Sequence, residues 1–340
     1  MAREILFMDA INEALKTEMA RDESVFLIGE DIAGGTGTKG GPGAWGGILG
    51  ITKGLYEQYP TRVVDTPISE SALVGAGVGA AVAGMRPVVE LMFADFLGVC
   101  FDQIFNQAAK FRYMFGGKAQ TPLVIRTNCG GKARAAAQHS QMLTPIFTHI
   151  PGLKVVFPSS PYDAKGLLIQ AIRDNDPVIF MEHKALLATK GDVPQESYTI
   201  GFGEANVLRE GSDVTIVTYG LMVLMAMGVA TELAKQGIQC EVIDLRTLSP
   251  LDEDTIIESV EKTGRLVVVD EAYPRCSVAA DISSLVAEQA FGALKAPIKK
   301  VTAPHSPVPF AAALEDAFVP SPERIGAAVA ETMAYGGSKA

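Results

Sequence analysis

Residues 62–84 read RVVDTPISESALVGAGVGAAVAG, and this stretch decides the fold. The run Arg62–Asp65 is typical of a short strand, and the small residues 73–84 are typical of a tightly packed helix. The polar residues TPISES connect the two. On both sides of this stretch, strand-like and helix-like segments alternate along the chain. This alternation predicts an α/β fold with a doubly wound parallel sheet.

The same alternation predicts two domains. In the first half of the chain, short apolar runs predict strands at 25–28, 88–92, 122–125, 154–157 and 177–180. Helices are predicted at 5–20, 95–111 and 162–172. A polar stretch from about 188 to 205 interrupts the pattern, so we place one domain at 1–190 and a smaller α/β domain at 203–340. For the second domain we predict strands at 214–218, 239–244, 265–270 and 298–301 and helices at 221–235, 252–262, 277–291 and 323–333.

The composition excludes several classes of protein. The 340 residues are 48% hydrophobic and 20% charged, which is enough to build a large core. A formal net charge of −10 argues against a nucleic-acid partner, which requires clustered Lys and Arg. There is no signal-peptide pattern and no run of about 18 apolar residues, so we expect no membrane span. The four cysteines form no C-x-x-C pair, and we expect reduced thiols in a cytoplasmic protein.

Two glycine-rich stretches match a dinucleotide-binding motif without its required context. Residues 35–40 are followed by Gly41-Pro42-Gly43, which cannot begin a helix cleanly, and we predict a long loop over 34–50. Residues 75–80 lie inside a helical pattern instead of at a strand-to-helix turn. An NAD-dependent Rossmann enzyme is therefore an alternative without a proper fingerprint.

A series of short motifs resembles the β subunits of the thiamine-diphosphate-dependent 2-oxoacid and acetoin dehydrogenase family. The motifs occur in family order over nearly the whole chain. They are FLIGED at 26–31, DTPISE at 65–70, GMRPVVE at 84–90, FDQI at 101–104, NQAAK at 106–110, AAQHSQ at 136–141, PGLKVV at 151–156, AKG at 164–166, AIRD at 171–174, VTYG at 217–220 and DLRTLSP at 244–250. The resemblance implies a parallel-sheet domain that binds the coenzyme pyrimidine, followed by a smaller transketolase-C-terminal-like α/β domain.

Within this family, residues 44–54 and 90–100 are most similar to the acetoin branch. The resemblance therefore implies cleavage of acetoin to acetaldehyde and a hydroxyethyl unit, with transfer of the resulting acetyl group to a lipoyl-bearing partner. Residues 127–134, TNCGGKAR, depart from the aromatic-glycine sequence expected in that branch. A β subunit of a pyruvate or branched-chain 2-oxoacid dehydrogenase is an alternative, and so is a non-catalytic scaffold subunit.

The resemblance assigns two residues to the coenzyme. Glu70 ends the T-P-I-S-E motif and matches the carboxyl group that exchanges a proton with the pyrimidine N1′. An apolar pocket would let such a carboxyl group hold its proton. Phe96 matches the position whose ring lies against the pyrimidine. Without the resemblance, Glu70 reads as an acid at a helix start and Phe96 as a core residue.

The resemblance also assigns His139 to the mouth of the active site, where it protonates an intermediate or the lipoyl sulfur. Histidine titrates near neutrality, which suits proton transfer. Taken alone, His139 reads as a structural histidine in a polar loop. A potassium site is implied at Leu123, Ala171, Ile172, Asp174 and Asp176. The simpler interpretation of residues 173–177 is a turn that ends a helix.

The chain contains no Gly-Asp-Gly motif, which this coenzyme class uses to hold magnesium and the diphosphate. We therefore expect thiamine diphosphate at an interface, with magnesium held by a separate α subunit in an α2β2 heterotetramer. The Gly- and Ala-rich helix at 72–84 would allow close contact between subunits. In relatives the second domain serves dimerisation and docking of a dihydrolipoamide acetyltransferase, and we expect that role here.

Overall fold

A computed structural model describes residues 3–34 and 46–335. The chain divides into two compact units. Unit 1 comprises Met1–Cys129, Ile146–Glu182 and Leu186–Gly201, and unit 2 comprises Gly130–Pro145, His183–Ala185 and Phe202–Ala340. Most of the predicted loop at 34–50, including the glycine motif at 35–40, lies outside the described residues. No helix in the described ranges has both the length and the apolar composition of a membrane span.

Unit 1 is built on a parallel sheet. Its strands and those of a small antiparallel ribbon are β1 (Arg3–Leu6), β2 (Val25–Glu30), β3 (Val63–Thr66), β4 (Arg86–Phe93), β5 (Val124–Cys129), β6 (Lys154–Val156), β7 (Val178–His183) and β8 (Lys190–Val193). The sheet order within the unit is β6-β7-β5-β4-β2-β3, and β2 pairs in parallel with both β3 and β4. The ribbon consists of β1 and β8. Strands β5 and β7 are buried along their whole length, as expected when helices cover both faces of a sheet.

The helices of the first 200 residues follow the strands. They are α1 (Phe7–Arg21), α2 (Leu55–Gln58), α3 (Glu70–Val82), α4 (Phe111–Met114), α5 (Thr144–Thr148) and α6 (Pro161–Arg173). Helix α6 begins with Pro161 in its first turn, and the Ser160 hydroxyl accepts a hydrogen bond from the Asp163 amide. Helix α3 buries Leu73, Val74 and Val78, and its opposite side consists of small, exposed residues. Helix α3 contains the glycine motif at 75–80, so this motif lies within a helix, as predicted.

Unit 2 contains a smaller, mostly parallel sheet. The strands of unit 2 are β9 (Asn206–Arg209), β10 (Val214–Thr218), β11 (Cys240–Asp244), β12 (Thr247–Ser249), β13 (Leu266–Asp270) and β14 (Lys299–Thr302), and β12 lies outside the five-stranded sheet. The sheet order is β14-β13-β10-β11-β9, with β9 antiparallel. The helices are α7 (Leu221–Ala234), α8 (Glu253–Thr263), α9 (Val278–Gln289), α10 (Ala312–Phe318) and α11 (Pro322–Ala334).

The single helix predicted at 95–111 is wrong. The segment instead forms a 3₁₀ helix at Ala94–Gly98, a π-helical turn at Gln103–Ala108 and the short α4. The π turn accommodates an extra residue, which hydrophobic periodicity alone does not predict. The helix predicted from residue 5 starts at Phe7, because the two preceding residues pair with β8.

A buried arginine joins three neighbouring strands of unit 1. Arg126 on β5 donates two hydrogen bonds to Glu182 on β7, at 2.7 and 2.9 Å, and one to Glu90 on β4, at 2.8 Å. Arg126 is 1% exposed and Glu182 is fully buried. Burial raises the pKa of Glu182 to about 7, against the opposing effect of the Arg126 charge. The group fixes the spacing of β4, β5 and β7 at the carboxyl half of the sheet.

We predict that Arg126→Met lowers the free energy of unfolding of unit 1 by about 3–5 kcal/mol, because it leaves two carboxyl groups without their buried partner. Urea unfolding of the purified chain measures the change. Arg21→Met is the matched control, since Glu18 loses a half-exposed partner but keeps Arg173 and should change stability by less than about 1 kcal/mol. Equal effects of the two substitutions would contradict a special role for Arg126.

Candidate functional site

The sheet of unit 1 reverses its order at β2. The chain passes from β2 to β3 on one side and then to β4 on the other side of β2. In open α/β sheets, ligands bind in the crevice outside the carboxyl ends of the two strands at such a switch point. Glu30 ends β2, and the 3₁₀ helix Ala94–Gly98 follows β4. The rule therefore predicts a ligand crevice between these two segments.

Glu70 lies at the edge of this crevice, as the first residue of α3. Its side chain is half-buried. The Ser71 hydroxyl donates a 2.7 Å hydrogen bond to the Val99 carbonyl, which ties the start of α3 to the segment after β4. Burial raises the pKa of the Cys100 thiol to about 12, and the charge of Glu70 adds to this effect. Glu70 is thus near enough to the segment after β4 for its charge to affect Cys100.

Phe96 is half-buried in the 3₁₀ helix that follows β4. Its ring meets that of Phe93 edge to face, with ring centroids 5.8 Å apart. The next buried residues, Leu97 and Cys100, hold the segment against the core. The structure therefore brings Glu70 and Phe96 to the same end of the sheet, on segments joined by the Ser71 hydrogen bond.

Further acidic groups surround Glu70. The register of the sheet pairs Glu30 with Thr66, the first residue of the T-P-I-S-E motif. Burial raises the pKa of Glu30, and the charges of Asp31 and Glu70 raise it further. Burial also raises the pKa of Asp65, although its carboxylate accepts a 2.7 Å hydrogen bond from the Ala33 amide. The Thr66 hydroxyl is buried without a hydrogen-bond partner. Carboxyl groups with raised pKa values and an unsatisfied hydroxyl fit a site for a polar nitrogen heterocycle.

His139 belongs to unit 2, in the segment 130–145, which we call the histidine segment. His139 is half-buried, and its carbonyl oxygen accepts a hydrogen bond from the Lys184 ammonium group. At the start of the segment, the Gly131 amide donates a 2.6 Å hydrogen bond to the buried Glu271 carboxylate. The same carboxylate lies 2.9 Å from His183 Nε2, and His183 Nδ1 accepts from the Ala185 amide.

The middle of the histidine segment is attached to α10 by two basic side chains. Lys132 forms a 2.9 Å ion pair with Asp316. Arg134 donates to Glu315 at 2.5 Å, to both oxygens of Asp316 at 2.9 Å and to the Ala312 carbonyl at 3.0 Å. Hydrogen bonds from Lys132 and Arg134 lower the pKa of Asp316.

The backbone of this segment is strained. Lys132, Arg134 and Ala136 have φ angles of 68°, 54° and 60°, in the left-handed region that non-glycine residues rarely adopt. Each such residue costs about 1–2 kcal/mol, so the surrounding contacts must impose the conformation. At the far end, the Thr144 hydroxyl lies 3.1 Å from the Tyr219 hydroxyl, which donates to the buried Asp270. The segment is thus held at its start, middle and end.

The residues of the implied potassium site lie together in unit 1, but most of their oxygens already have partners. Asp174 pairs with Lys154 at 2.7 Å, and Asp176 contacts Arg112. Arg86 donates to the carbonyl oxygens of Ile172 and Asp174. The remaining members, Leu123 and Ala171, each accept one backbone hydrogen bond through their carbonyl oxygens. Among the described side chains, no group of three His, Cys, Asp or Glu residues is arranged to hold a metal ion.

The sequence reasoning missed the attachments of the histidine segment. The residues involved lie in the stretch 127–134, whose sequence TNCGGKAR differs from the one expected in the acetoin branch. Gly130 has a φ of 84°, and a Cβ atom there would lie 2.1 Å from His183 Nε2. A Cβ atom on Gly131 would lie 2.8 Å from Val319. The glycine pair is required by close packing, and the following Lys132 and Arg134 reach α10, which local patterns cannot reveal.

Two family models match this chain. One is the transketolase pyrimidine binding domain, over residues 3–190, and the other is the transketolase C-terminal domain, over residues 203–325. The fold also resembles a solved split-gene transketolase, described as an inactive beta4 tetramer. The TM-score is 0.78 at 22% identity, over 97% of this chain and 98% of that chain. The predicted two-domain α/β fold is confirmed.

Two similar proteins are both named acetoin:2,6-dichlorophenolindophenol oxidoreductase subunit beta. The protein from Cupriavidus necator is 66% identical over 336 residues, which cover 99% of each chain. The protein from Bacillus subtilis is 56% identical over 336 residues, which cover 98% of each chain. At these identities the similarity extends through both units.

We predict that Gly130→Ala destabilises the chain far more than Gly237→Ala. The two glycines have nearly equal φ angles, 84° and 85°, but a Cβ atom on Gly237 meets nothing within 4 Å. Gly237→Ala therefore measures the backbone cost alone, about 1–2 kcal/mol, while Gly130→Ala adds the clash with His183. Thermal unfolding of both variants tests this. Equal losses would show that His183 can move away freely.

Proposed function

We propose a function on the premise that this chain belongs to the family of thiamine-diphosphate-dependent 2-oxoacid and acetoin dehydrogenase β subunits. This membership confirms the family predicted from the motifs. The function is that of the β subunit of an acetoin dehydrogenase, an oxidoreductase component that is active only with its α subunit. The observation that carries the proposal is the 66% identity over 99% of both chains to the acetoin oxidoreductase β subunit.

Residues 1–190 would act as the pyrimidine-binding domain and residues 203–340 as the transketolase-C-terminal-like domain. When bound, thiamine diphosphate would supply the carbanion chemistry needed to cleave the carbon–carbon bond of acetoin. Glu70 would exchange a proton with the pyrimidine nitrogen N1′, and Phe96 would lie against the pyrimidine ring and exclude water. The location of Glu70 and Phe96 at one end of the sheet supports these roles, as does the adjoining group of acidic side chains.

His139 would donate a proton at the reacting oxygen or at the lipoyl sulfur. The half-buried ring lies on a segment that is attached at several points, which suits a group that must hold one position for proton transfer. The acetyl group would leave the enzyme on a lipoyl-bearing dihydrolipoamide acetyltransferase. The oxidised lipoyl disulfide is the electron acceptor in that step, and it is reduced as one sulfur takes the acetyl group.

An α subunit would supply the magnesium and the groups that bind the diphosphate, giving an α2β2 assembly. Because the sequence has no Gly-Asp-Gly motif, this chain offers no such group of its own. Helix α3 supports the assignment, since it exposes Ala72, Ala76 and Gly79 on the side away from the core. Small residues on an exposed helix face allow the backbone of another element to approach closely. We place the assembly in the cytoplasm, in keeping with four cysteines that form no disulfide.

A potassium ion would be held by the loop that ends α6. The ligands would be oxygens of Leu123, Ala171, Ile172, Asp174 and Asp176, shared with the Arg86, Lys154 and Arg112 side chains that several of them already bind. A carbonyl oxygen has a second lone pair that can accept a further partner. The ion would stabilise the loop without a part in the chemistry.

We predict that Glu70→Gln lowers acetoin turnover by about 10²–10⁴-fold in the complex reconstituted with the α subunit, because the amide cannot exchange the required proton. Reduction of dichlorophenolindophenol measures turnover. The control is Glu253→Gln, which changes an exposed acid that likewise begins a helix, α8, and should leave turnover unchanged. Turnover near that of the unmodified protein for Glu70→Gln would refute the role.

The substrate is tested separately. We expect the reconstituted complex to turn over acetoin with a higher kcat/KM than pyruvate or branched-chain 2-oxoacids. The reverse order would assign the chain to one of the two alternative branches. Binding of the α subunit together with full turnover by Glu70→Gln would instead support a scaffold role.

We predict that potassium raises the melting temperature of the chain by several degrees relative to choline at equal ionic strength, because a ligand that binds only the folded state stabilises it. Sodium, with its smaller radius, should have a weaker effect. Differential scanning calorimetry measures the shift. Equal melting temperatures in the potassium, sodium and choline salts would contradict the proposed potassium site.

A further inference from the structure

In unit 2, a cluster of charged side chains joins the histidine segment to α10. We propose that Arg134, held by Glu315 and Asp316, is a positioning residue that sets the placement of His139 for proton transfer. The inference rests on the proposed role of His139 and deepens it, because it names the interaction that holds the histidine in place.

The contacts of Arg134 are numerous and directional. Its guanidinium group reaches a carbonyl and two carboxylates within α10, through Nη1 to Ala312 and Glu315 and through Nη2 to both oxygens of Asp316. A planar guanidinium fork fixes orientation as well as distance, which the point charge of a lysine does not. Arg134 is therefore held in one orientation by one short helix.

The depth of Glu315 sets this cluster apart from an ordinary surface ion pair. Glu315 is fully buried, whereas the side chain of Arg134 is 39% exposed. One carboxylate oxygen of Glu315 accepts from Arg134, and the other has no hydrogen-bond partner in the described structure. A buried carboxylate without Arg134 would lose its cationic partner, so α10 and Arg134 favour a single arrangement.

The backbone between Arg134 and His139 connects the cluster to the histidine. Arg134 itself has a φ of 54°, between Lys132 and Ala136, which are also left-handed. Such a conformation persists only where neighbouring contacts impose it. Between Arg134 and His139, the contacts include a weak 3.5 Å hydrogen bond from the His139 amide to the Ala136 carbonyl and the Lys184 contact with the His139 carbonyl. Release of Arg134 would let residues 132–136 relax and would move His139.

The cluster could instead be purely structural, and then its loss would lower stability without a specific effect on proton transfer. The two accounts differ in one measurable respect. A positioning residue acts through His139, so its effect on kcat must disappear when the histidine is absent. A structural residue has the same effect with or without the histidine. A double-mutant cycle separates these cases.

The experiment uses the complete α–β complex and four proteins: the unmodified chain, Arg134→Met, His139→Ala and the double variant. We expect Arg134→Met to lower kcat by about 10²-fold, the loss typical of a displaced catalytic group, with little change in KM. In the His139→Ala background the same substitution should change kcat by less than about twofold, within the usual limit of additivity. Arg134→Lys should recover part of kcat, because an ammonium group can reach only one of the two carboxylates.

Two further variants serve as controls for effects that arise only from a loss of stability. Asp316→Asn weakens the cluster at its half-exposed edge and should give a smaller loss with the same dependence on His139. Arg3→Met removes a comparably exposed ion pair with Glu13 in unit 1 and should leave kcat unchanged. Melting temperatures of all variants show that each one is folded at the temperature of the assay.

Three results would overturn the proposal. An unchanged kcat for Arg134→Met and Asp316→Asn would show that His139 needs no such support. A loss of equal size in both backgrounds would show that Arg134 acts independently of the histidine. Full turnover by His139→Ala would contradict the proposed role of His139 in proton transfer. This result is distinct from the other two because Arg134 is intact in that variant.

Discussion

The position of the candidate site depends on the parallel pairing of β2 with both β3 and β4. This pairing sets Glu30 beside Thr66 and brings the start of α3 to the segment that follows β4. The first residue of α3, Glu70, and the segment that carries Phe96 therefore lie at the same end of the sheet. The buried group of Glu90, Arg126 and Glu182 holds the neighbouring strands in the spacing on which this arrangement depends.

The two residues proposed for proton exchange, Glu70 and His139, are held in place by different kinds of structure. Glu70 is placed by a helix start and a parallel sheet, which are rigid elements with a well-defined geometry. His139 is placed by a strained loop that depends on ion pairs and on two glycines packed against side chains. The placement of His139 therefore depends on ion pairs and close packing, whereas that of Glu70 depends on regular secondary structure.

Much of this could be predicted from the sequence, because buried parallel strands are apolar runs and the motifs occur in family order. Val214–Thr218 was predicted at its true bounds, and Glu70 follows directly from T-P-I-S-E. The π turn at Gln103–Ala108 and the pairing of β1 with β8 could not be predicted, since both depend on contacts distant in sequence. The same holds for Arg134, whose partners Glu315 and Asp316 are far along the chain and carry no local signal. The roles of Glu70, Phe96, His139 and the potassium residues remain predictions.

The central claim is that one carboxyl group of this chain meets the pyrimidine ring of a coenzyme whose phosphates another chain binds. A structure of the α–β complex with thiamine diphosphate tests it most directly. The account predicts a carboxylate oxygen of Glu70 at about 2.6–3.2 Å from N1′, with the diphosphate and its metal ion bound by the α subunit. A Glu70 side chain turned away from the coenzyme, or a diphosphate held by residues of this chain, would contradict it.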